Sequence, residues 1–157
     1  MIAAGQPAPA FTLPDQDGKP VSLADLAGQV VVLYFYPRAS TPGCTTQACG
    51  VRDRQPDYAE AGAVVLGVSP DDVPAIKKFH DDEHLNFTLL ADADHAVAEA
   101  YGAWGERSMY GNKFMGVIRT TFVIDGDGKV THVFPKIQPK KHDAAVLKAL
   151  AELNAAA

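Results

Sequence analysis

Cysteine is scarce in this 157-residue chain: Cys44 and Cys49 are the only two, separated by four residues. A framework of structural disulfides is thereby excluded, since two cysteines form one bridge at most. No run of about 18 apolar residues occurs, so no membrane span is expected. The first ten residues lack a basic segment followed by a sustained apolar core, so they do not read as a secretion signal. The default location is then the cytoplasm, where a close cysteine pair is more often catalytic or metal-binding than structural. Zinc would need two more ligands. The five histidines, His80, His84, His95, His132 and His142, fall in no Cys/His cluster of the usual spacing, which also weighs against a cysteine–histidine hydrolase. Neither a metal nor another cofactor is expected. Positive charge is in deficit as well: 14 Lys and Arg against 19 Asp and Glu give a formal net charge of −5, which argues against a nucleic-acid partner. The basic cluster Lys136, Lys140, Lys141 and His142 reads as a solvated loop ahead of the last helix.

What remains describes one domain over residues 1–157, with no repeat, low-complexity tract or linker. A hydrophobic content of 47% with 21% charged residues is that of a soluble globular protein. Phe11–Leu13 and Val21–Leu23 flank turn residues and suggest a small hairpin, followed by one helical turn around residues 24–26. Val30–Tyr36 is β-branched and aromatic throughout, as a central strand covered on both faces should be. A helix follows from about Gly43, divided at Pro56. Ala63–Ser69 is a second buried strand, Val73–His84 a helix with Val73, Ile76 and Phe79 on one face, and Thr88–Ala91 a short strand. Asp92 to Asp94 cap a helix bearing Val97, Ala100 and Tyr101. Residues 102–116 show no clear periodicity and read as a long loop, with Tyr101 and Trp104 as packing residues. Residues 119–125 and 129–134 flank Gly126, Asp127 and Gly128 as a hairpin, and a helix over Asp143–Asn154 closes the chain, with residues 155–157 frayed. This order predicts an α/β, thioredoxin-like fold: a central mixed β-sheet flanked by helices, with an N-terminal β-hairpin extension.

The segment 34–49 carries the chemistry. The apolar run stops at Pro37, and Pro42 and Gly43 lead into Cys44, which should sit in the first turn of a helix just beyond a buried strand. Free backbone N–H groups and the positive end of the helix dipole favour a thiolate there. A thiolate attacks a peroxide O–O bond in line and expels the other oxygen. The site must therefore hold the peroxide and neutralise the leaving oxygen. Thr41 offers a hydroxyl near the sulfur. Among Arg38, Arg52, Arg54, Arg107 and Arg119, Arg119 alone stands where a core strand begins, at the sheet edge that lines such sites. Attack leaves a sulfenic acid on Cys44, which Cys49 can condense with. In an intact helix, five residues advance about 7.5 Å and place the Cα atoms roughly 8–9 Å apart. A disulfide tolerates about 7 Å, so the helix start must unwind. Gly43, Gly50 and a weak cap favour that unwinding.

Pro37-x-x-x-Thr41-x-x-Cys44 resembles the active-site pattern of the peroxiredoxins, and Thr41-Pro-Gly-Cys-Thr-x-x-Ala-Cys49 followed by Arg52-Asp53 resembles that of the bacterioferritin comigratory protein, or peroxiredoxin Q, subfamily. Leu13–Gly18, Asn86–Leu90, Tyr101–Glu106 and Arg119–Asp125 match in the expected order, so the resemblance spans residues 5–135. It implies Cys44 as the peroxidatic and Cys49 as the resolving cysteine, joined as a disulfide in the cycle. Pro37, Thr41 and Arg119 would complete the pocket, with Gly43 beside the substrate. It further implies hydrogen peroxide and organic hydroperoxides as substrates, thioredoxin or a similar dithiol as reductant, and a monomer. Gln47 departs from the pattern by standing where many members carry Glu. Two other readings compete: a disulfide reductase, which would prefer a Cys-x-x-Cys pair, and a non-catalytic thioredoxin-fold binding protein or holdase.

Overall fold

The computed structural model describes residues 1–155. Five strands form the central sheet in the order β5-β4-β3-β8-β9. Strands β3 (Val30–Phe35), β4 (Ala63–Ser69) and β5 (Thr88–Ala91) run parallel; β8 (Thr120–Ile124) is antiparallel to β3, and β9 (Val130–Pro135) is antiparallel to β8 and so runs in the direction of β3. The expected N-terminal hairpin is β1 (Thr12–Pro14) paired with β2 (Pro20–Ser22), and a 3₁₀ turn over Leu23–Leu26 follows.

The alternation of β3 builds both halves of the core. Val32, Tyr34 and Tyr36 face one layer, where α1 (Pro42–Asp53), α2 (Gln55–Glu60), α3 (Val73–Asp82) and α5 (His142–Ala155) contribute Ala48, Val51, Tyr58, Ile76, Phe79, Val146 and Leu150. Val31, Leu33 and Phe35 face the other, against Phe11, Leu13 and the α4 (Ala96–Tyr101) residues Ala98 and Tyr101. Pro56 does divide the helix, and takes a place in the first turn of α2, where its missing N–H costs nothing. Tyr101 packs as expected, fully buried, with its hydroxyl donating to the Pro9 carbonyl.

Several boundaries differ from the sequence reading. Residues 102–116 are not a loop but contain a two-stranded ribbon, β6 (Trp104–Met109) and β7 (Asn112–Val117), outside the main sheet. Its turn residues Tyr110 and Gly111 both have positive φ, 51° and 81°, the backbone that a tight hairpin requires. The ribbon reaches the core only through Trp104 and Val117 at its ends, and Gly105 pairs with Gly116, so no alternating apolar pattern marks it. Helix α3 stops at Asp82 rather than His84, which has φ 50°. His142 does not belong to a solvated loop: it starts α5 fully buried, with Nε2 2.9 Å from Thr121 Oγ1. Ala155 is still helical, and the fraying expected beyond it falls on residues 156–157, outside those described.

Candidate active site

Strand β3 ends beneath the site and β8 begins beside it. Because the two are antiparallel with Phe35 opposite Thr120, the residue just before β8, Arg119, is carried to the point where the chain leaves β3 for Pro37. The loop after Pro37 is held from β4's side, where Asp71 Oδ2 accepts from the Ala39 amide at 2.7 Å. Pro42 then opens α1, and Gly43 and Cys44 complete its first turn.

The first intrahelical hydrogen bond runs from Thr45 N–H to the Thr41 carbonyl, 2.8 Å. The amides of Gly43 and Cys44 lie ahead of it and have no intrahelical acceptor. Thr41 stands at the cap position without capping them: its hydroxyl donates to the Arg38 carbonyl at 2.9 Å. Its oxygen keeps lone pairs with which to accept, and the two amides remain donors.

Cys44 is only 2% exposed. Arg119 reaches it with Nη2, 3.2 Å from Sγ, while Nη1 donates to Gln47 Oε1 at 2.5 Å. A guanidinium placed so stabilises negative charge on the sulfur, and its planar fork serves two acceptors at once. Gln47 is fully buried one turn along α1; its oxygen keeps the contact with Arg119, and its Nε2 has no hydrogen-bond partner among the described residues. Gly43 lies against the same guanidinium, since a Cβ there would stand 3.4 Å from Arg119 Nη2.

A cavity of about 500 Å³ opens over the sulfur. Pro37, Arg38, Thr41, Cys44 and Arg119 form one side, and Trp104, Arg107, Phe114, Met115 and Val117 of the ribbon form the other. Gly43 is not among the lining residues. Trp104, read from sequence as packing, both stacks on His95 at 3.7 Å and lines this cavity. Arg107 sits 5.8 Å over the Phe114 ring. A smaller cavity of about 230 Å³, near Leu26 and Ile124 at the opposite end of the sheet, is lined by neither a thiol nor a cation.

Cys49 is half-buried on the other side of α1, and both thiols are free. Its Sγ donates to Glu83 Oε2 at 3.4 Å, and burial together with that carboxylate pushes the thiol above its ordinary range. The helix between the two cysteines is unbroken.

Gly50 has a packing role besides the one expected of it. The Asp143 carboxylate, which accepts from the Tyr58 hydroxyl at 2.5 Å, lies directly where a Gly50 Cβ would project. Helix propensity alone makes Gly50→Ala stabilising by about 1 kcal/mol. The collision with the carboxylate reverses the sign, and urea denaturation is expected to show a loss of about 1–3 kcal/mol. An unchanged or raised midpoint would contradict this packing.

These features place a buried thiol, a guanidinium and two free amides at one strand end, and residues 4–133 match the AhpC/TSA family model. The chain belongs to the AhpC/TSA family. Peroxiredoxin Bcp of Escherichia coli (strain K12) is 50% identical over 151 residues, covering 96% of this chain and 97% of that one. Among solved structures, the bacterioferritin comigratory protein of Xanthomonas campestris is similar with a TM-score of 0.88 at 34% identity, over 96% and 98% of the two chains. A mutant of Xylella fastidiosa PrxQ gives a TM-score of 0.92 at 26% identity, over 98% of each. The chain is a peroxiredoxin of the bacterioferritin comigratory protein, or peroxiredoxin Q, type, with the mixed thioredoxin-like sheet of that group, and thiol peroxidase activity goes with the family. In this peroxiredoxin, sequence reasoning passed over three features. Arg107, Phe114 and Met115 lie on the ribbon it read as a loop, Glu83 is an unremarkable acidic helix end, and the Gln47–Arg119 bond joins residues 72 apart.

Proposed function

We propose that this peroxiredoxin reduces hydrogen peroxide and organic hydroperoxides through Cys44 and Cys49. The observation that carries the reading is the Cys44 sulfur, 3.2 Å from Arg119 Nη2 in the uncapped first turn of α1. The Cys44 thiolate attacks the hydroxyl-bearing peroxide oxygen, the O–O bond breaks, and the electron pair leaves on the other oxygen, which takes up a proton to become water or an alcohol. Thr41 Oγ1 accepts from the peroxide hydroxyl, because its own proton is committed to the Arg38 carbonyl. Arg119 and the amides of Gly43 and Cys44 donate to the oxygens as charge develops. Pro37 forms the wall that keeps water from the sulfur. Trp104, Phe114 and Met115 give the opposite wall an apolar surface suited to an organic substituent. The Xanthomonas campestris relative is described for alkyl peroxide reduction activity, in agreement with that wall.

The product on Cys44 is a sulfenic acid. Cys49 condenses with it to an intramolecular disulfide, releasing water, after the start of α1 unwinds. A dithiol of the thioredoxin type then exchanges with the disulfide and returns both thiols. The protein does this as a single-domain monomer in the cytoplasm. Cys49→Ser tests the reading: with one equivalent of hydrogen peroxide it should gain the mass of one oxygen and stop, with no thioredoxin-driven turnover. Turnover at the unaltered rate would remove Cys49 from the mechanism, and failure to oxidise would remove the peroxidase reading itself.

A further inference from the structure

We infer that Glu83 is the proton acceptor of the resolving step, and that Cys44 travels to Cys49 while Cys49 stays where it stands. The inference rests on the two-thiol mechanism above. It comes from comparing what holds the two halves of α1.

The second half is fastened to groups that the oxidation of Cys44 does not touch. Arg52 Nη1 donates to the Glu83 carbonyl at 2.7 Å, and Asn86 Nδ2 donates to the Arg52 carbonyl at 3.2 Å. Ala48 and Val51 are fully buried, and Asp143 lies against Gly50. The first half is fastened differently. Its polar hold is the Arg119 fork on Cys44 and Gln47, and no side chain caps it. Charge-assisted hydrogen bonds are roughly twice as strong as neutral ones. When the Cys44 thiolate becomes a neutral sulfenic acid, its ion pair with Arg119 is lost, and the hold on Cys44 weakens while that on Gln47 is unchanged. Oxidation therefore loosens residues 42–47 and leaves residues 48–53 in place.

Cys49 is then the fixed partner, and the groups facing it decide its chemistry. Glu83 faces it from the end of α3, and Arg52 and Asp53 act on it from its own helix. Burial and the Glu83 carboxylate keep its proton on, so a base must remove that proton before the sulfur can attack. Glu83 Oε2 already accepts it, 3.4 Å from Sγ. In the step, the Cys49 proton passes to Glu83 and the Cys49 sulfur bonds to the Cys44 sulfur. The Cys44 S–O bond breaks, and the leaving hydroxide takes up a proton to become water. Cys49 sulfur is oxidised and Cys44 sulfur reduced by one unit each, so no outside oxidant or reductant enters.

Glu83→Gln keeps the side-chain shape and the Glu83 carbonyl that Arg52 uses, and removes only the base. Stopped-flow fluorescence of Trp104, which shares the cavity with Cys44, resolves oxidation and resolution as successive phases after hydrogen peroxide is mixed with reduced protein. The variant is expected to slow the second phase by about 10²-fold at neutral pH, the low end of what a positioned proton acceptor supplies. Its residual rate should climb about tenfold per pH unit below the thiol pKa, because only pre-formed thiolate can attack. Glu83→Asp should recover part of the rate. Under excess peroxide, intact mass should show sulfinic acid accumulating on Cys44 in Glu83→Gln. A second phase equal to or faster than that of the unaltered protein would overturn the inference, because Glu83 would then only restrain Cys49. If the unaltered protein shows no first phase, the peroxidase reading fails instead. Matching far-UV circular dichroism of the reduced proteins excludes misfolding as the cause.

Discussion

Cys44→Ser is expected to lower the rate of hydrogen peroxide consumption by on the order of 10⁶-fold, the scale on which an enzyme falls when its nucleophile is removed. The size of the loss follows from how the site is built. Arg119 and the free amides of α1 are arranged around a sulfur, and a thiol is by its chemistry a far stronger acid and nucleophile than the alcohol that would replace it. The hydroxyl would keep the geometry and lose the attacking species. Cys49 cannot substitute, since it lies outside the cavity and its thiol is held protonated by burial and Glu83. Initial rates with reduced protein and a peroxide-specific readout measure the effect. A residual rate above about 1% of the unaltered protein would mean that a second nucleophile reaches the peroxide.

Arg119→Met is expected to cost about 10²–10³-fold in the second-order rate constant for Cys44 oxidation, or about 3–4 kcal/mol of transition-state stabilisation. Methionine fills much of the arginine volume but donates to neither Cys44 Sγ nor Gln47 Oε1. The attacking sulfur and the departing oxygen then lose their main cationic partner, and Gln47 is left buried without its one hydrogen bond. Arg119→Lys separates the two functions. An ammonium is a point charge that cannot span both acceptors as the fork does, so lysine should recover part of the loss and not all of it. The rate of the first fluorescence phase against peroxide concentration gives the constants. A methionine variant within about threefold of the unaltered protein would show that the helix start alone supplies the stabilisation.

The parts legible in the sequence were those whose physics is local. Residues 30–36 and 63–68 announce buried strands because no position is polar, and the sheet buries both faces. The chain from Pro42 to Asp53 reads as a helix with Cys44 near its start because proline suits the first turn and nothing after it breaks a helix. Arg119 is legible from its position where a core strand begins together with the resemblance in residues 119–125, and the antiparallel register of β3 and β8 supplies the rest. The parts that were not legible depend on contacts between distant residues or on surfaces without a core side. The ribbon from Trp104 to Val117 leaves Phe114 and Met115 exposed beside a cavity and reaches the core only at its ends, through Trp104 and Val117, and its paired glycines imitate a loop. His142 looks basic and solvated among lysines, and only the packing of α5 against β8 shows it buried. The packing role of Gly50 is hidden too, because its neighbour Asp143 lies 93 residues further on and no local pattern announces it. Glu83 is the same case: an acidic residue at a helix end has many uses, and the thiol 34 residues away gives it this one.

In the mechanism proposed, Cys44 attacks peroxide and Cys49 resolves the product within one chain. Titrating fully reduced protein with one equivalent of hydrogen peroxide, then measuring intact mass and free thiols, tests it most directly. Both thiols should disappear together, the mass should fall by two hydrogens, and the product should remain a monomer. A protein that gains one oxygen while Cys49 stays free would contradict intramolecular resolution, and a protein that keeps both thiols would contradict the account altogether.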